Sequence, residues 1–238
     1  MFNDILREKA IESGITLTDD QIDKLRIYYE LLVEWNEKMN LTALTEPEDV
    51  ALKHFCDSIL LLSYADVKEG SSLIDVGTGA GFPGLVLAIC FPNLKVTLAD
   101  SLNKRVKFLQ EVIDALELEN IEAIHGRAED FAKPDKKREK YDLCVSRAVA
   151  NMTTLSEYCL PFVKEGGRFI SYKSEKITEE MENAKKAISL LGGKFDRSKD
   201  FYLPDSDIYR NLVVIKKAKE TPKKFPRKAG LPSKEPLA

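Results

Sequence analysis

The 238-residue sequence lacks paired cysteines, long apolar runs and a signal pattern, the features typical of metal-binding, membrane and secreted proteins. Its four cysteines, at positions 56, 90, 144 and 159, form no Cys-x-x-Cys pair and lie in or beside apolar stretches. We therefore expect reduced thiols in the core and no metal site. The apolar runs ILLL (59–62) and LVLAICF (85–91) are far too short to cross a bilayer. The opening residues show no secretory signal pattern, so we expect a cytoplasmic protein without a membrane partner.

A large excess of one charge is also absent. The chain has 36 basic and 39 acidic residues, and its formal net charge is -3. Nothing in the overall charge therefore indicates a nucleic-acid-binding protein. Basic residues are concentrated locally, in KPDKKREK (133–140) and in TPKKFPRKAGLPSKEPLA (221–238). Four prolines exclude a regular helix from the second stretch, which we expect to be extended or mobile.

Hydrophobic periodicity divides the chain into a helical extension (1–66), a larger domain (67–218) and a basic, proline-rich tail (219–238). In the extension, Thr18 and Gln21 fit a capping box, and Pro47 is suited to open a second helix. The expected apolar face of the first long helix comprises Ile22, Leu25, Tyr29, Leu32 and Trp35. These patterns predict helices packed beside the larger domain.

From about residue 71, short apolar runs alternate with amphipathic helices. The predicted strands are 73–76, 95–99, 121–125, 141–145, 168–172, 195–203 and 211–217, with helices such as 103–118 and 175–191 between them. This alternation predicts an α/β fold with a doubly wound, mostly parallel seven-stranded sheet. Because no helix separates the last two runs, we expect them to pair antiparallel. We expect a monomer.

The stretch LIDVGTGAGFPG (73–84) carries the main functional signal. A dinucleotide-binding loop has the spacing G-x-G-x-x-G, but here Phe82 occupies the third glycine position. No Gly-Lys-Ser/Thr follows, so the loop is not a Walker A motif either. The alternating glycines, beginning with Gly77 and Gly79, still allow the backbone to approach a ligand closely.

Acidic residues beside this loop indicate the ligand. Asp75 suits an ammonium group, and the helix start after Pro83 suits a carboxylate. Asp100, at the end of the next strand, suits ribose hydroxyls. Backbone groups near Ala128 and Glu129 could flank an adenine. S-adenosylmethionine has all these parts, whereas the alternative is a glycine-rich turn with two solvated acids.

Six stretches together resemble the bacterial 16S rRNA guanine-N7 methyltransferases, also called glucose-inhibited division protein B. They are NLTALTEPEDVALKHFCDSILL (40–62), LIDVGTGAGFPGLVLAI (73–89), LADSLNKRVKFL (98–109), HGRAED (125–130), SRAVA (146–150) and KKFPRKAGLPSKEPL (223–237). The glycine loop is common to many methyltransferases, and the combination with the other stretches is specific. The resemblance covers nearly the whole chain.

The resemblance implies a class I S-adenosylmethionine-dependent methyltransferase fold with an N-terminal helical extension. It also implies methyl transfer to N7 of a guanine near the decoding centre, with 16S rRNA in the small ribosomal subunit or its precursor as partner. By motif, the cofactor-binding residues are Gly77, Phe82, Ala128, Glu129 and Arg147. We add Asp75, Gly79 and Asp100 to this set because of their positions in the glycine loop and at the strand ends.

The sequence shows no obvious general base. Cys144 lies within an apolar strand, which disfavours a cytosine C5 enzyme with a cysteine nucleophile. SRAV stands where exocyclic-amine enzymes usually carry an Asp/Asn-Pro-Pro-aromatic loop. Guanine N7 has a lone pair and no proton to lose, so alignment of the reactants can supply most of the effect. We therefore assign no acid–base residue.

Basic side chains are the candidates for RNA contacts. They are Lys223, Lys224, Arg227 and Lys228 in the tail and the run 133–140. We also expect Lys173 and Arg210 to border the site. His54 and Asp57, three apart on one helix, fit either an RNA pocket or an ordinary polar contact. We expect deletion of residues 219–238 to weaken RNA methylation and leave cofactor affinity nearly unchanged.

Three alternatives remain open from the residues alone. A methyltransferase acting on a small molecule is weakly disfavoured by the basic stretches. A ribosome-assembly factor that binds the cofactor without turnover would have the same loop. A nicotinamide-dependent dehydrogenase is disfavoured by Phe82 in the glycine loop.

Overall fold

The computed structural model of the chain describes residues 1–64, 67–68, 70–147, 150–174 and 177–237. The strands are β1 Ser72–Val76, β2 Lys95–Asp100, β3 Ile121–His125, β4 Tyr141–Arg147, β5 Val163–Lys173, β6 Gly193–Tyr202 and β7 Tyr209–Lys217. The helices are α1 Phe2–Glu12, α2 Asp19–Asn36, α3 Pro47–Val50, α4 Asp57–Tyr64, α5 Gly84–Cys90, α6 Asn103–Ala115, α7 Ala128–Phe131, α8 Met152–Cys159, α9 Thr178–Leu190 and α10 Leu231–Lys234.

The strands form one sheet in the order β3-β2-β1-β4-β5-β7-β6. The first five strands run parallel, whereas β7 is antiparallel to both β5 and β6. The predicted doubly wound, mostly parallel sheet and its antiparallel last pair are therefore confirmed. Because parallel strands end at the same edge, the loops after β1, β2, β3 and β4 meet there.

Two strands are longer than the apolar pattern predicts. β4 continues to Arg147 because Ser146 and Arg147 pair with Ser171 and Tyr172 of β5. β5 begins at Val163, opposite Tyr141, and a register irregularity follows that pair. The predicted helix 175–191 is present as α9, while positions 175 and 176 lie outside the described residues.

The helical extension packs on α5 and α6 through α2, and on α5 through a helical stretch running from Pro47 to Tyr64. This stretch comprises α3, a π-helical turn at Ala51–Cys56, and α4. The predicted capping box is present, since Thr18 Oγ1 accepts from the Gln21 N–H and Gln21 Oε1 accepts from the Thr18 N–H. Pro47 occupies the first helical position, as expected.

One prediction for the buried face of α2 is wrong. Tyr28, and not Tyr29, is the fully buried tyrosine, because its ring packs between Phe55 and Phe82. Its hydroxyl donates to the Ala80 carbonyl in the loop after β1. Tyr29 is half-buried and stacks on Phe2. The extension therefore contacts the loop that carries the functional signal.

The extension and one face of the sheet share a hydrophobic core. Leu25, Leu32 and Phe55 belong to the same buried cluster as Leu73 and Leu98. A second cluster covers the other face beneath α8 and α9. All four cysteines are buried free thiols, which confirms the predicted core role. No helix within the described part of the chain is long and apolar enough to cross a membrane.

Candidate cofactor site and adjoining cleft

The glycine loop, residues 77–84, leaves β1 in a left-handed conformation. The φ angles of Gly77, Gly79 and Gly81 are +72°, +62° and +102°, a region that favours glycine. A Cβ at Gly81 would lie 2.7 Å from Tyr28 Oη and 2.9 Å from Leu85 Cβ, so this glycine is needed for packing. A Cβ at Gly79 would meet nothing within 4 Å. The backbone at Gly79 therefore faces open space.

Asp75 lies beneath this loop and is fully buried. Its Oδ2 accepts hydrogen bonds from Thr78 Oγ1 at 2.7 Å and from the Gly84 N–H at 2.8 Å. Burial raises the pKa of the carboxyl to about 6, and the two hydrogen bonds oppose this rise. Oδ1 has no hydrogen-bond partner among the described residues. An unpaired buried acceptor here fits a ligand that carries an N–H donor.

Asp100 connects the end of β2 to the glycine loop. It is almost fully buried, and its Oδ2 accepts from the Gly79 N–H at 2.9 Å. Its Oδ1 accepts from the Leu102 N–H at 2.9 Å, and Arg105 Nη1 lies 3.5 Å from Oδ2. A carboxylate oxygen can accept more than one hydrogen bond, so Oδ1 keeps capacity for another donor, and a contact with ribose hydroxyls stays a prediction.

Ala128 and Glu129 begin α7 directly after β3, at the same edge of the sheet. Ala128 is half-buried, whereas Glu129 is 5% exposed. Glu129 Oε1 accepts from the Gly230 N–H at 2.8 Å. The predicted adenine-flanking element is therefore held by the tail. This contact argues against the expectation that deletion of the tail leaves cofactor affinity nearly unchanged.

The tail is packed on the domain. Arg227 donates to the buried Glu157 from its backbone N–H at 2.8 Å, from Nε at 3.0 Å and from Nη2 at 2.7 Å. Arg138 donates to the carbonyls of Thr221 and Phe225. Arg138 comes from the basic run 133–140, and its guanidinium holds the tail against the domain.

The expectation of an extended or mobile tail is therefore wrong for the described residues up to 237. The tail also contains α10, a single helical turn that begins at Leu231 with Pro232 in its first turn. Proline is tolerated in the first turn of a helix, which the exclusion of regular helix overlooked. The buried acids that anchor the tail lie far away in sequence.

A cleft of about 440 Å³ opens at the ends of β4 and β5, next to the glycine loop. We name it the arginine cleft. Its lining includes His54, Asp57, Arg147, Tyr172, Lys173 and Arg210. Arg147 connects it to the loop, because its guanidinium carbon lies 5.1 Å from the centre of the Phe82 ring. Phe82 is buried and stacks on His54 with 4.3 Å between ring centres.

Charge in the arginine cleft is mostly paired. Asp57 Oδ2 accepts from Arg210 Nε at 2.8 Å and lies 3.6 Å from Arg147 Nη1. Lys173 Nζ lies 2.7 Å from Glu180 Oε1. Burial, and after it the charge of Arg147, lower the pKa of His54 to about 3. His54 is therefore neutral at physiological pH, with Nε2 2.9 Å from Thr42 Oγ1.

The structure brings most predicted site residues to one edge of the sheet. The loop itself contains Gly77, Gly79 and Phe82, and two carboxylates lie beside it, Asp75 and Asp100. The cleft next to it is lined by Arg147, Lys173 and Arg210. Lys223, Lys224 and Lys228 are exposed on the tail, whereas Arg227 is turned towards Glu157. Among the described residues, no group of His, Cys, Asp and Glu is arranged to hold a metal ion.

Two functional contributions were not assigned from the sequence. Tyr28 supports the glycine loop through Ala80, and the spacing of α2 alone does not distinguish it from Tyr29. Asp57 receives no single role from the sequence pattern. Its spacing from His54 was the available signal, but the arginines that hold it come from β4 and β7.

Residues 21–209 match the family described as GidB, rRNA small subunit methyltransferase G. The chain belongs to this family. A relative named ribosomal RNA small subunit methyltransferase G, from Lachnoclostridium phytofermentans, is 55% identical over 224 residues, 94% of this chain and 93% of the relative. A protein of the same name from Alkaliphilus metalliredigens is 52% identical over 233 residues, 98% of each chain. The family resemblance drawn from the motifs is thus confirmed.

Solved structures support the fold independently. A SAM-dependent O-methyltransferase from Thermotoga maritima aligns with a TM-score of 0.54 and 19% identity, covering 79% of this chain and 72% of that one. At this identity the likeness concerns the fold alone. Together with the strand order, it confirms the predicted class I methyltransferase architecture.

Proposed function

We propose that the chain transfers a methyl group from S-adenosylmethionine to N7 of a guanine in 16S rRNA, near the decoding centre. One observation carries this proposal: the open glycine loop lies directly beside the arginine cleft, with Arg147 in contact with both. A methyl donor on the loop and a nucleotide in the cleft would be neighbours. The names of the relatives support ribosomal RNA of the small subunit as substrate.

The residues at the loop fit S-adenosylmethionine, which supplies a methyl group on a sulfonium when bound. The unpaired Oδ1 of Asp75 suits the ammonium group, and the open side of Gly79 leaves room for the ligand. The residues proposed to hold the cofactor are Gly77, Gly79, Phe82, Asp75, Asp100, Ala128, Glu129 and Arg147.

The chain itself needs to do little chemistry at N7. Because N7 carries no proton, no residue has to act as a base, and the low pKa of His54 keeps its ring neutral beside Arg147. The role of the protein is to hold the base in line with the methyl group and to exclude water. The stacked pair of Phe82 and His54 provides a rigid apolar wall for this alignment.

The RNA contacts we propose are electrostatic. Lys223, Lys224 and Lys228 are exposed on the packed tail and are suited to phosphates. In the cleft, Arg210 and Lys173 border the place where the base would enter. We propose that the protein acts as a monomer in the cytoplasm, where small ribosomal subunits are available, and that it needs no metal.

A direct assay tests this function. Purified protein is incubated with S-adenosylmethionine carrying a labelled methyl group and with small subunits from cells that lack the protein. We expect label in 7-methylguanosine after digestion of 16S rRNA, measured by mass spectrometry. Label only in another nucleoside, or only in metabolites added as competitors, would refute the proposal. Cofactor binding without any transfer would favour a ribosome-assembly factor.

A further inference from the structure

Asp57 is a buried carboxylate in the arginine cleft with one oxygen unused. The residue is 1% exposed, and its Oδ2 is held by Arg210 at 2.8 Å and approached by Arg147 at 3.6 Å. Within the described residues, no donor reaches Oδ1. Native proteins rarely leave a buried acceptor without a partner, because the lost hydration is not replaced. Because Asp57 belongs to the lining of the arginine cleft, a ligand with an N–H donor could supply the partner that Oδ1 lacks.

The surroundings fix this carboxylate in place. Asp57 follows the π-helical turn Ala51–Cys56, and its two arginine partners come from β4 and β7. Burial raises its pKa, while the charges of Arg210 and Arg147 oppose that rise. The neutral His54 adds no charge of its own. The result is a rigid acceptor beside two cations.

The hydrogen-bonding pattern of the bases determines which one this acceptor suits. An ionised carboxylate can only accept hydrogen bonds. Guanine presents two adjacent donors, N1–H and the N2 amino group, on its Watson–Crick edge. Adenine presents an acceptor at N1, and uracil presents one N–H between two carbonyls. Guanine is therefore the base that gives a carboxylate two donors side by side.

This contact is also compatible with chemistry at N7. Arginine commonly recognises guanine through O6 and N7, which would cover the reacting nitrogen. A carboxylate on N1–H and N2 leaves N7 free on the other side of the ring. We propose that Asp57 selects the target guanine through Oδ1, which accepts from the N1–H and the N2 amino group, while Arg210 holds Oδ2 in place. This inference rests on the proposed function.

The test compares guanosine with inosine at the methylated position. Inosine keeps N1–H and N7 but lacks the N2 amino group. Once the target is mapped, 16S rRNA carrying either nucleoside there is made by splinted ligation and assembled into subunits. For wild-type protein we expect kcat/KM to be about tenfold or more higher with guanosine, the effect of one hydrogen bond to a charged acceptor.

The Asp57→Asn variant should lose this preference. Since Arg210 holds the oxygen at the Oδ2 position, the amide nitrogen replaces Oδ1. Its N–H groups then face the N1–H and the N2 amino group of guanine, and no hydrogen bond can form. We expect the guanosine-to-inosine ratio to narrow to about threefold or less, with unchanged cofactor affinity by calorimetry. Glu157→Gln is the matched control, because Glu157 is also 1% exposed and paired with an arginine, but outside the cleft. It should keep the wild-type ratio.

Two results would overturn the inference: a wild-type ratio near one, or a wild-type ratio retained in Asp57→Asn. If Asp57→Asn does not fold, the wild-type ratio alone decides. A purely structural role would lower the thermal stability of Asp57→Asn and leave the ratio unchanged. Wild-type protein that methylates neither RNA would refute the proposed function itself, and this inference with it.

Discussion

The substitution Gly79→Ala tests whether the glycine loop holds the cofactor. Gly79 has a φ of +62°, and a Cβ there would meet no protein atom within 4 Å. The added methyl group therefore costs the fold only the left-handed conformation of alanine, about 1–2 kcal/mol. A bound ligand would have to move away from it. Losing one or two hydrogen bonds of about 0.5–1.5 kcal/mol each weakens binding by about twofold to about 150-fold.

Gly166→Ala is a matched control. Gly166 has a φ of +83°, and a Cβ there also meets nothing within 4 Å. It lies near the start of β5, at the sheet edge opposite the glycine loop. Both variants should lower the melting temperature by a similar amount, about 2–8 °C. Isothermal titration calorimetry with S-adenosylmethionine and with its demethylated product should show weaker binding only for Gly79→Ala.

The reasoning fails if both variants bind the cofactor as wild type does. It fails equally if both lose affinity in proportion to their loss of stability, because the effect would then come from backbone strain. Only a loss of affinity confined to Gly79→Ala, at equal stability, supports the loop as the cofactor site.

Three further outcomes follow from the structure. Deleting residues 227–238 removes the Gly230 N–H that holds Glu129, so we expect lower cofactor affinity by calorimetry. Unchanged affinity would show that the tail does not support the cofactor site. Since the pKa of Asp75 is raised to about 6, its carboxylate is mostly protonated at pH 5 and cannot pair with an ammonium. The Kd for S-adenosylmethionine should therefore rise about tenfold from pH 7 to pH 5, and Asp75→Asn should show weak binding with no such dependence. Replacing the exposed tail lysines by alanine should weaken RNA binding and flatten its salt dependence in filter-binding assays, whereas the same change at lysines of the opposite sheet edge should not. The tail set is Lys223, Lys224 and Lys228, and the control set is Lys68, Lys95 and Lys194.

The order of strands and helices could be predicted because each element has its own local pattern. The apolar runs gave the seven strands, and the missing helix before β7 indicated its antiparallel pairing. The glycine loop was recognisable because its residues are contiguous. The sheet then brings Asp75, Asp100 and Arg147 to one edge by topology alone.

Long-range pairs could not be predicted in the same way. Arg210 and Asp57 are 153 positions apart, and Arg227 and Glu157 are 70 apart. Neither pair leaves a trace in local periodicity, so the tail looked unstructured and Arg227 looked available for phosphate. The misplacement of the buried tyrosine in α2 has a different cause. Tyr28 and Tyr29 are neighbours of equal hydrophobicity, and the packing against Phe82 and Ala80 decides between them.

The position of β7 has a consequence for how the protein is made. β7 lies between β5 and β6, yet it is synthesised after both. A nascent chain that has already produced β6 cannot add it to the growing sheet, because β6 pairs with β7. Until Lys217 has emerged, both β5 and β6 offer unpaired backbone groups that invite contact with other chains. Chaperone dependence during translation should therefore end with the arrival of this one strand.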